Sequence, residues 1–155
     1  MEHTILIVGH RTGIGRSIAE LMLNSGHKVL GISREACDYN HENLTSLTFN
    51  IAEIDDSVIP ENLSGFIYCP GTINLKPFRS LKVQDFQNDF EINALGAASA
   101  LQKVERSIKS GKGSVILFST VAVGQGMPFH ASVAMAKGAV EGLGKSLAAE
   151  WAPNV

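Results

Sequence analysis

Five short runs along the chain have the character of buried β-strands. The first, Thr4–Val8, consists of apolar or β-branched residues throughout and does not alternate with polar ones, as expected for a strand covered on both faces. Similar runs occur at Lys28–Ser33 and at residues 47–51, 64–69 and 114–119. Helical or polar stretches separate the runs, a pattern typical of a parallel sheet whose strands are joined by helices.

Helical spacing of apolar residues marks the connections. A helical face begins at Ile14, directly after the first strand, and Gly26 ends that helix. Residues 83–110 and 131–151 predict two longer helices, and a single apolar stripe runs along the first of them. The stripe consists of Phe86, Phe90, Ala94, Ala97, Leu101, Val104 and Ile108.

Right-handed crossovers would arrange the five strands in the order 3-2-1-4-5. The predicted fold is therefore a Rossmann-like, doubly wound parallel sheet between two helical layers, with residues 1–155 forming one α/β domain. In such sheets ligands bind at the carboxyl ends of the strands, where the strand order reverses. We therefore expect the segments that follow the strands to carry the function.

Composition and charge exclude several classes of partner. The net charge is -2, so no basic surface predicts nucleic acid or an anionic membrane as a partner. Cys37 and Cys69 have neither a disulfide-framework nor a metal-site spacing, and we predict no metal. No apolar run approaches the ~18 residues of a membrane span. Because the first strand begins close to Met1, we expect no signal peptide and a cytoplasmic protein.

Three glycines follow the first strand and open the first helix, at Gly9, Gly13 and Gly15. A strand, a tight glycine turn and a helix N-terminus together direct backbone N–H groups and the helix dipole at an anion. The predicted anion is the pyrophosphate of a dinucleotide, although an ordinary glycine turn is the alternative.

The end of the second strand bears on the type of dinucleotide. An acidic residue there would favour NAD, and a basic one would pair with the 2′-phosphate of NADP. The strand ends in Ser33 and Arg34 and offers no Asp or Glu there, and Arg11 in the glycine turn could bind the same phosphate. We predict NADP in preference to NAD; in the alternative, both arginines are simply solvated.

Several motifs in order along the chain resemble the short-chain dehydrogenase/reductase family. The glycine spacing is similar to the family fingerprint, and Asn93-Ala-Leu-Gly96 resembles its Asn-x-x-Gly element. Ser119-Thr120 stands where the family has its catalytic serine, and residues 131–140, which include Lys137, are similar to its active-site helix.

The resemblance implies a dinucleotide cofactor and a small-molecule substrate. Lys137 would hold the nicotinamide ribose, Thr120 (or, as second choice, Ser119) would contact the substrate oxygen, and Asn93 would anchor a relay water. Pro70 and Asn50 depart from the family pattern at two turns, but both turns can still face a cofactor. The cofactor-binding residues implied are Gly9, Arg11, Thr12, Gly13, Ile14, Gly15, Ser33, Arg34, Asn50, Ile51, Gly71 and Lys137.

One family residue is missing. The family's acid is a tyrosine four residues before the lysine, and Val133 stands at that position, where it has no proton to donate. His130 is a candidate replacement because an imidazole suits proton transfer, with a helix-start histidine as the alternative. Tyr68 is a second candidate, with a packed core tyrosine as its alternative, and a bound water is a third.

Three interpretations of function remain open. The first is an NADP-dependent oxidoreductase with a non-standard catalytic site, transferring hydride to a small carbonyl or an activated alkene. The second is a non-catalytic nucleotide-binding or assembly subunit of the same fold. In the third, the chain is partial, because the family's sixth and seventh strands would follow Val155. Bare apolar surface on the fifth strand and the last helix predicts self-association as a homo-oligomer through helices 83–110 and 131–151.

Overall fold

A computed structural model of the chain describes residues 3–50 and 53–155. It contains one five-stranded parallel sheet with the strand order β3-β2-β1-β4-β5, as predicted. Neighbouring strands pair in register: Leu6 lies opposite Leu30 of one neighbour and Phe66 of the other. The strands are β1 (Thr4–Val8), β2 (Lys28–Ser33), β3 (Leu44–Thr48), β4 (Gly65–Tyr68) and β5 (Ser114–Leu117).

Within residues 3–50 and 53–155, five α-helices connect and cover the strands. They are α1 (Gly13–Asn24), α2 (Val83–Phe90), α3 (Gly96–Ser110), α4 (Val121–Gln125) and α5 (Ala131–Trp151). Helices α2 and α3 form one continuous rod, joined by a five-residue π-turn, Glu91–Leu95. Short 3-10 helices occur at Asp56–Val58 and Phe78–Ser80. In the described part of the chain, no helix combines the length and the apolar character needed to cross a bilayer.

The side chains of β1 alternate between two apolar layers. Leu6 and Val8 face the larger layer, where Phe66 of the sheet meets Leu101 of α3 and Trp151 of α5. The opposite side chains of β1 pack in a smaller layer, together with residues of α1. Because both faces of the central strands are buried, β1 and β2 lack the polar alternation of a half-exposed strand.

The third strand begins three residues earlier than its predicted position of 47–51. It is an edge strand, and its five residues are exposed or only half-buried, so it lacks the continuous apolar run that marks β1. Phe49, which falls within the predicted strand, follows the last residue of β3 and is 48% exposed. Residue 51, at the end of the predicted strand, lies outside the described residues. Residues 121–125 form the short helix α4.

Candidate nucleotide site

A cleft of about 520 Å³ opens at the carboxyl ends of β1, β2 and β4. This is the point at which the strand order reverses, where doubly wound sheets bind their ligands. All the predicted cofactor residues from the glycine turn and from the ends of β2 and β4 line it. These are Gly9, Arg11, Thr12, Gly13, Ile14, Gly15, Ser33, Arg34 and Gly71, and Asn50 joins them.

The glycine turn forms a cradle of backbone between β1 and α1. Gly9 has a φ of +83°, in the region that favours glycine, and its N–H donates to the Ile32 carbonyl over 2.7 Å. A Cβ on Gly15 would lie only 2.2 Å from the Gly9 carbonyl oxygen, so α1 starts in direct contact with the loop. The residues present therefore fit the pyrophosphate of a dinucleotide, because the turn leads directly into the N-terminus of α1, where backbone N–H groups and the helix dipole favour an anion.

Arg11 is held by a neighbour that the sequence interpretation overlooked. Its Nη2 atom lies 2.6 Å from Oε2 of Glu35, and both side chains are partly exposed, at 37% and 72%. Ser33 donates from Oγ to the Glu35 carbonyl over 2.7 Å, which fixes the turn after β2. The statement that no acidic residue follows β2 was thus wrong, since Glu35 comes directly after Arg34 and lines the same cleft.

The turn after β4 packs against the glycine turn. The Cys69 N–H donates to the Val8 carbonyl over 3.0 Å, and the ring of Pro70 packs beside Gly9. Burial raises the pKa of the Cys69 thiol to about 11, so this thiol is neutral at physiological pH.

Asn93 lies at the centre of a buried polar network behind the cleft. Its Nδ2 donates to the Asp89 carbonyl over 2.8 Å and to Thr72 Oγ1 over 3.0 Å. Thr72 in turn donates to Asp89 Oδ1 over 2.6 Å, and Asn74 donates to the same oxygen over 2.8 Å. The Oδ1 atom of Asn93 is buried and has no partner among the described residues, so it can accept one further hydrogen bond.

Lys137 reaches the same point from α5. A Cβ on Gly71 would lie 3.0 Å from Asn93 Oδ1 and 3.5 Å from Lys137 Nζ, so both groups stand beside the turn after β4. Burial lowers the pKa of Lys137. An ammonium and an amide oxygen beside a cleft-lining glycine can hold the hydroxyls of a sugar ring.

Tyr68 links the end of β4 to the π-turn. Its hydroxyl donates to the Ile92 carbonyl over 2.8 Å, and a Cβ on Gly96 would lie 2.2 Å from the same hydroxyl oxygen. Gly96 is therefore required where Tyr68 is present. Burial raises the pKa of Tyr68 to about 12, and its proton is committed to Ile92, so this side chain holds the segment around Asn93.

The remaining catalytic candidates are spread around α4 and α5. Thr120 caps α4, where its Oγ1 accepts from the Ala122 N–H over 3.3 Å. Ser119 donates instead to Glu141 Oε1 over 2.6 Å and lines a different groove, between β5 and α5. His130 precedes α5 as its N-cap, with Nδ1 2.7 Å from the Pro128 carbonyl oxygen.

Val133 is 3% exposed, so an aliphatic side chain is buried where the resemblance predicts a tyrosine. Of the predicted site residues, Ile51 lies outside the described residues. Arg11 and Arg34 both line the cleft, but only Arg11 has an acidic side chain against it among the described contacts. Thr72 and Asp89, which complete the network around Asn93, carried no motif by which the sequence could have identified them.

Several curated proteins are similar to this chain over most of its length, among them two reductases. Hydroxynaphthalene reductase arp2 of Aspergillus fumigatus is 28% identical over 166 residues, covering 94% of this chain and 60% of that protein. The bifunctional ribulose 5-phosphate reductase/CDP-ribitol pyrophosphorylase Bcs1 of Haemophilus influenzae is 23% identical over 153 residues, covering 99% of this chain and 32% of that protein. The chain thus spans less than two thirds of either relative.

Solved structures share the fold. ElxO with NADP bound has a TM-score of 0.86 at 20% identity and covers 99% of this chain and 70% of that chain. A short-chain dehydrogenase from Streptomyces avermitilis has a TM-score of 0.86 at 19% identity, covering 99% of this chain and 62% of that chain.

A family model described as Enoyl-(Acyl carrier protein) reductase matches residues 36–155, well over half of the chain. The two relatives above are named as reductases, and one of the solved structures has NADP bound. The strand order, the glycine cradle and this match agree, and the chain belongs to the short-chain dehydrogenase/reductase family.

Proposed function

We propose that this chain binds a nicotinamide dinucleotide, NADP in preference to NAD, and supports hydride transfer to a small carbonyl or an activated alkene. The observation that carries the proposal is the backbone cradle between Gly9 and Gly15 at the switch point of the sheet. Arg11 and Arg34, on the wall of the same cleft, support the preference for NADP because a guanidinium can bind a phosphate through two hydrogen bonds.

The roles proposed for the other residues follow from their contacts. Lys137 would hold the sugar hydroxyls nearest to Gly71, and Asn93 would anchor a relay water through its unpartnered Oδ1, since both stand beside that turn. Thr120, after β5, would donate its hydroxyl proton in a hydrogen bond to the substrate oxygen. The nicotinamide would supply the hydride when bound, and the proton would come from a group other than a tyrosine at position 133.

His130 is the proposed protein source of that proton, with a water at the same site as the other source. Because its Nδ1 lies within hydrogen-bond distance of the Pro128 carbonyl oxygen, Nε2 is the ring nitrogen left to exchange a proton with a substrate or water. Tyr68 is not proposed, since its hydroxyl proton is bound to Ile92.

A second function has one observation in its favour. Val133 is buried and cannot donate a proton. This observation supports the proposal that the chain binds the dinucleotide without turnover, as a nucleotide-binding or assembly subunit. Under this proposal Lys137 and Asn93 keep their binding roles and the rest of the site has no catalytic use.

Binding is tested by fluorescence titration with NADPH and with NADH. We expect NADPH to bind more tightly, and we expect Lys137→Ala to weaken binding of both. Lys145→Ala is the matched control, because Lys145 lies on the same helix and its side chain is 82% exposed. Absence of binding by either dinucleotide would contradict both proposed functions.

Turnover separates the two proposals. NADPH consumption is measured over a panel of small carbonyls and enones, with the wild type and His130→Ala. Consumption by the wild type that falls in His130→Ala supports the oxidoreductase and the histidine as acid. Consumption that survives in His130→Ala leaves water as the proton source. Tight NADPH binding without consumption of any substrate supports the non-catalytic subunit.

We also propose that two or more copies associate through α2–α3 and α5. Leu95 and Met135, on the π-turn and on α5, are 45% and 49% exposed, although both are large apolar side chains. Light scattering coupled to size-exclusion chromatography measures the mass in solution. A monomer at all protein concentrations would contradict this proposal.

A further inference from the structure

His10 follows Gly9 in the glycine turn, but its side chain points away from the cleft. The residue is fully buried, at 0% exposure, beneath the loop and against β2 and β3. None of the roles proposed above uses it. A buried imidazole inside a loop that binds an anion through its backbone therefore calls for a separate explanation.

Three contacts fix the ring and the backbone of His10. Its Nε2 lies 2.9 Å from Ser46 Oγ on the edge strand β3. The ring fills the space above Gly31 of β2, where a Cβ would lie 2.4 Å from the ring carbons Cγ and Cδ2. Tyr39 donates from its hydroxyl to the His10 carbonyl over 3.2 Å and presents its ring at a 6.3 Å centroid distance.

Burial lowers the pKa of His10, with the Ile32 carbonyl opposing part of the shift. The neutral ring is therefore the form that fits this space. The ring packs over Gly31 as an apolar core side chain would, and not as a charged group that binds a ligand.

The contacts of His10 join the two sides of the cleft. The glycine turn is bound to β2 through the Gly9 N–H, and His10 extends this attachment to β3. Tyr39 continues the connection, because the Arg16 guanidinium of α1 lies 4.8 Å from its ring centroid. The loop that would hold the pyrophosphate is thus tied to the strand that leads to Phe49 and Asn50 on the opposite wall.

We propose that His10 is a positioning residue of the nucleotide cradle, holding the turn from Gly9 to Gly15 against β3 so that its N–H groups face the cleft before a ligand binds. This inference rests on the proposed function, since it takes the ligand to be a dinucleotide. A loop already held in its binding conformation loses less conformational freedom on binding, and the ligand gains affinity to that extent.

The first experiment removes the two partners of the hydrogen bond. We expect His10→Ala to weaken NADPH binding about tenfold and Ser46→Ala about threefold, and the double variant to bind like His10→Ala, because Ser46 acts through the ring. Thr45→Ala is the matched control, an exposed neighbour on the same strand, and keeps wild-type affinity. Wild-type affinity in His10→Ala, or independent effects of the two single changes, would overturn the proposal.

The second experiment uses the space above Gly31. A methyl group there collides with the ring, so Gly31→Ala alone should weaken NADPH binding and lower the melting temperature. In a His10→Ala background the space is vacant, and the same change should have little further effect. Equal effects in the two backgrounds would contradict the packing of His10 on Gly31.

A third measurement works without any ligand. Amide hydrogen exchange of Gly9, whose N–H is bound to the Ile32 carbonyl, should accelerate at least tenfold in His10→Ala and Ser46→Ala, while amides in the middle of α5 keep their protection. A uniform loss of protection would mean that His10 supports the whole fold, and unchanged loop exchange would mean that it holds nothing; either result overturns the proposal. If the wild type binds neither NADPH nor NADH, the proposed function fails, and loop exchange still decides the role of His10.

Discussion

Replacing Glu35 by glutamine tests how the cleft would distinguish the two dinucleotides. In the structure the Glu35 carboxylate lies 2.6 Å from the guanidinium of Arg11. We propose that this guanidinium binds the 2′-phosphate. A phosphate bound there would lie within a few ångströms of this carboxylate. Glu35→Gln removes the charge while it keeps the size of the side chain.

The expected gain in affinity follows from the charges. Two unit charges about 4 Å apart interact by about 1 kcal/mol in water, and a phosphate monoester carries a charge of about −1.5 to −2. Removing this repulsion therefore stabilises bound NADPH by about 1.5 kcal/mol, or about tenfold in Kd. NADH has no 2′-phosphate and gains nothing from the lost repulsion, so its affinity should stay the same or fall, because an acidic side chain at the end of β2 can accept a hydrogen bond from the ribose 2′-hydroxyl. Because the ion pair is largely exposed, the stability of the fold should change by less than about 1 kcal/mol.

Fluorescence titration of both dinucleotides at two salt concentrations measures these changes. Glu42→Gln is the matched control, since Glu42 is an exposed residue of the same connection and loses the same charge. The gain for NADPH should shrink as salt rises, because salt screens charges in an open cleft. An equal gain in Glu42→Gln, an equal gain for NADH, or weaker NADPH binding in Glu35→Gln would refute the reasoning.

Three further changes have defined outcomes. Tyr68→Phe removes the hydrogen bond to Ile92 and should lower the free energy of unfolding, measured in urea, by about 1–3 kcal/mol at neutral pH. Burial raises the pKa of Tyr68 from 10.0 to about 12, so the neutral hydroxyl stabilises the folded state up to pH 10 and this effect is lost as the pH rises to about 12. The free energy of unfolding of Tyr68→Phe should therefore fall less steeply than that of the wild type between pH 10 and pH 12. Val133→Tyr should increase NADPH-dependent carbonyl reduction by a factor of about 100 or more if the other groups are in place, and no increase would indicate that the site lacks more than its acid. Leu101→Ala, at a 1% exposed position of the larger core layer, should lower the free energy of unfolding by about 2–5 kcal/mol, and a loss under 1 kcal/mol would contradict its close packing.

The nucleotide half of the fold was predictable because its signals are local. Strand β1, the glycine turn and α1 follow one another directly in the sequence, and the strand order 3-2-1-4-5 follows from right-handed connections. The position of β3 was not predictable in the same way. An edge strand has one partner and exposed side chains, so the run through Phe49 was mistaken for the strand that ends at Thr48.

The contacts that shape the cleft were beyond sequence reasoning for a different reason. Arg11 meets Glu35 across 24 positions and Thr72 meets Asp89 across 17, and neither pair belongs to a periodic pattern. Glu35 could still have been considered, because it directly follows Arg34 at the end of β2. His10 and Gly31 show the same difficulty, since the need for a glycine in β2 depends on a ring from another segment.

The π-turn between α2 and α3 has a consequence for insertions and deletions in this helix. Two successive steps of four residues separate Phe86, Phe90 and Ala94. This average spacing of four residues per turn is wider than the roughly 3.6 of a regular α-helix, whose apolar stripes alternate steps of three and four. Since one residue rotates an α-helix by about 100°, a deletion within α3 would turn Leu101 and its neighbours away from the sheet. A deletion within Glu91–Leu95 would instead convert the π-turn to a regular turn and leave both helical faces in phase. A deletion at the π-turn would therefore preserve the fold. It would, however, move Asn93 from its position beside the cleft.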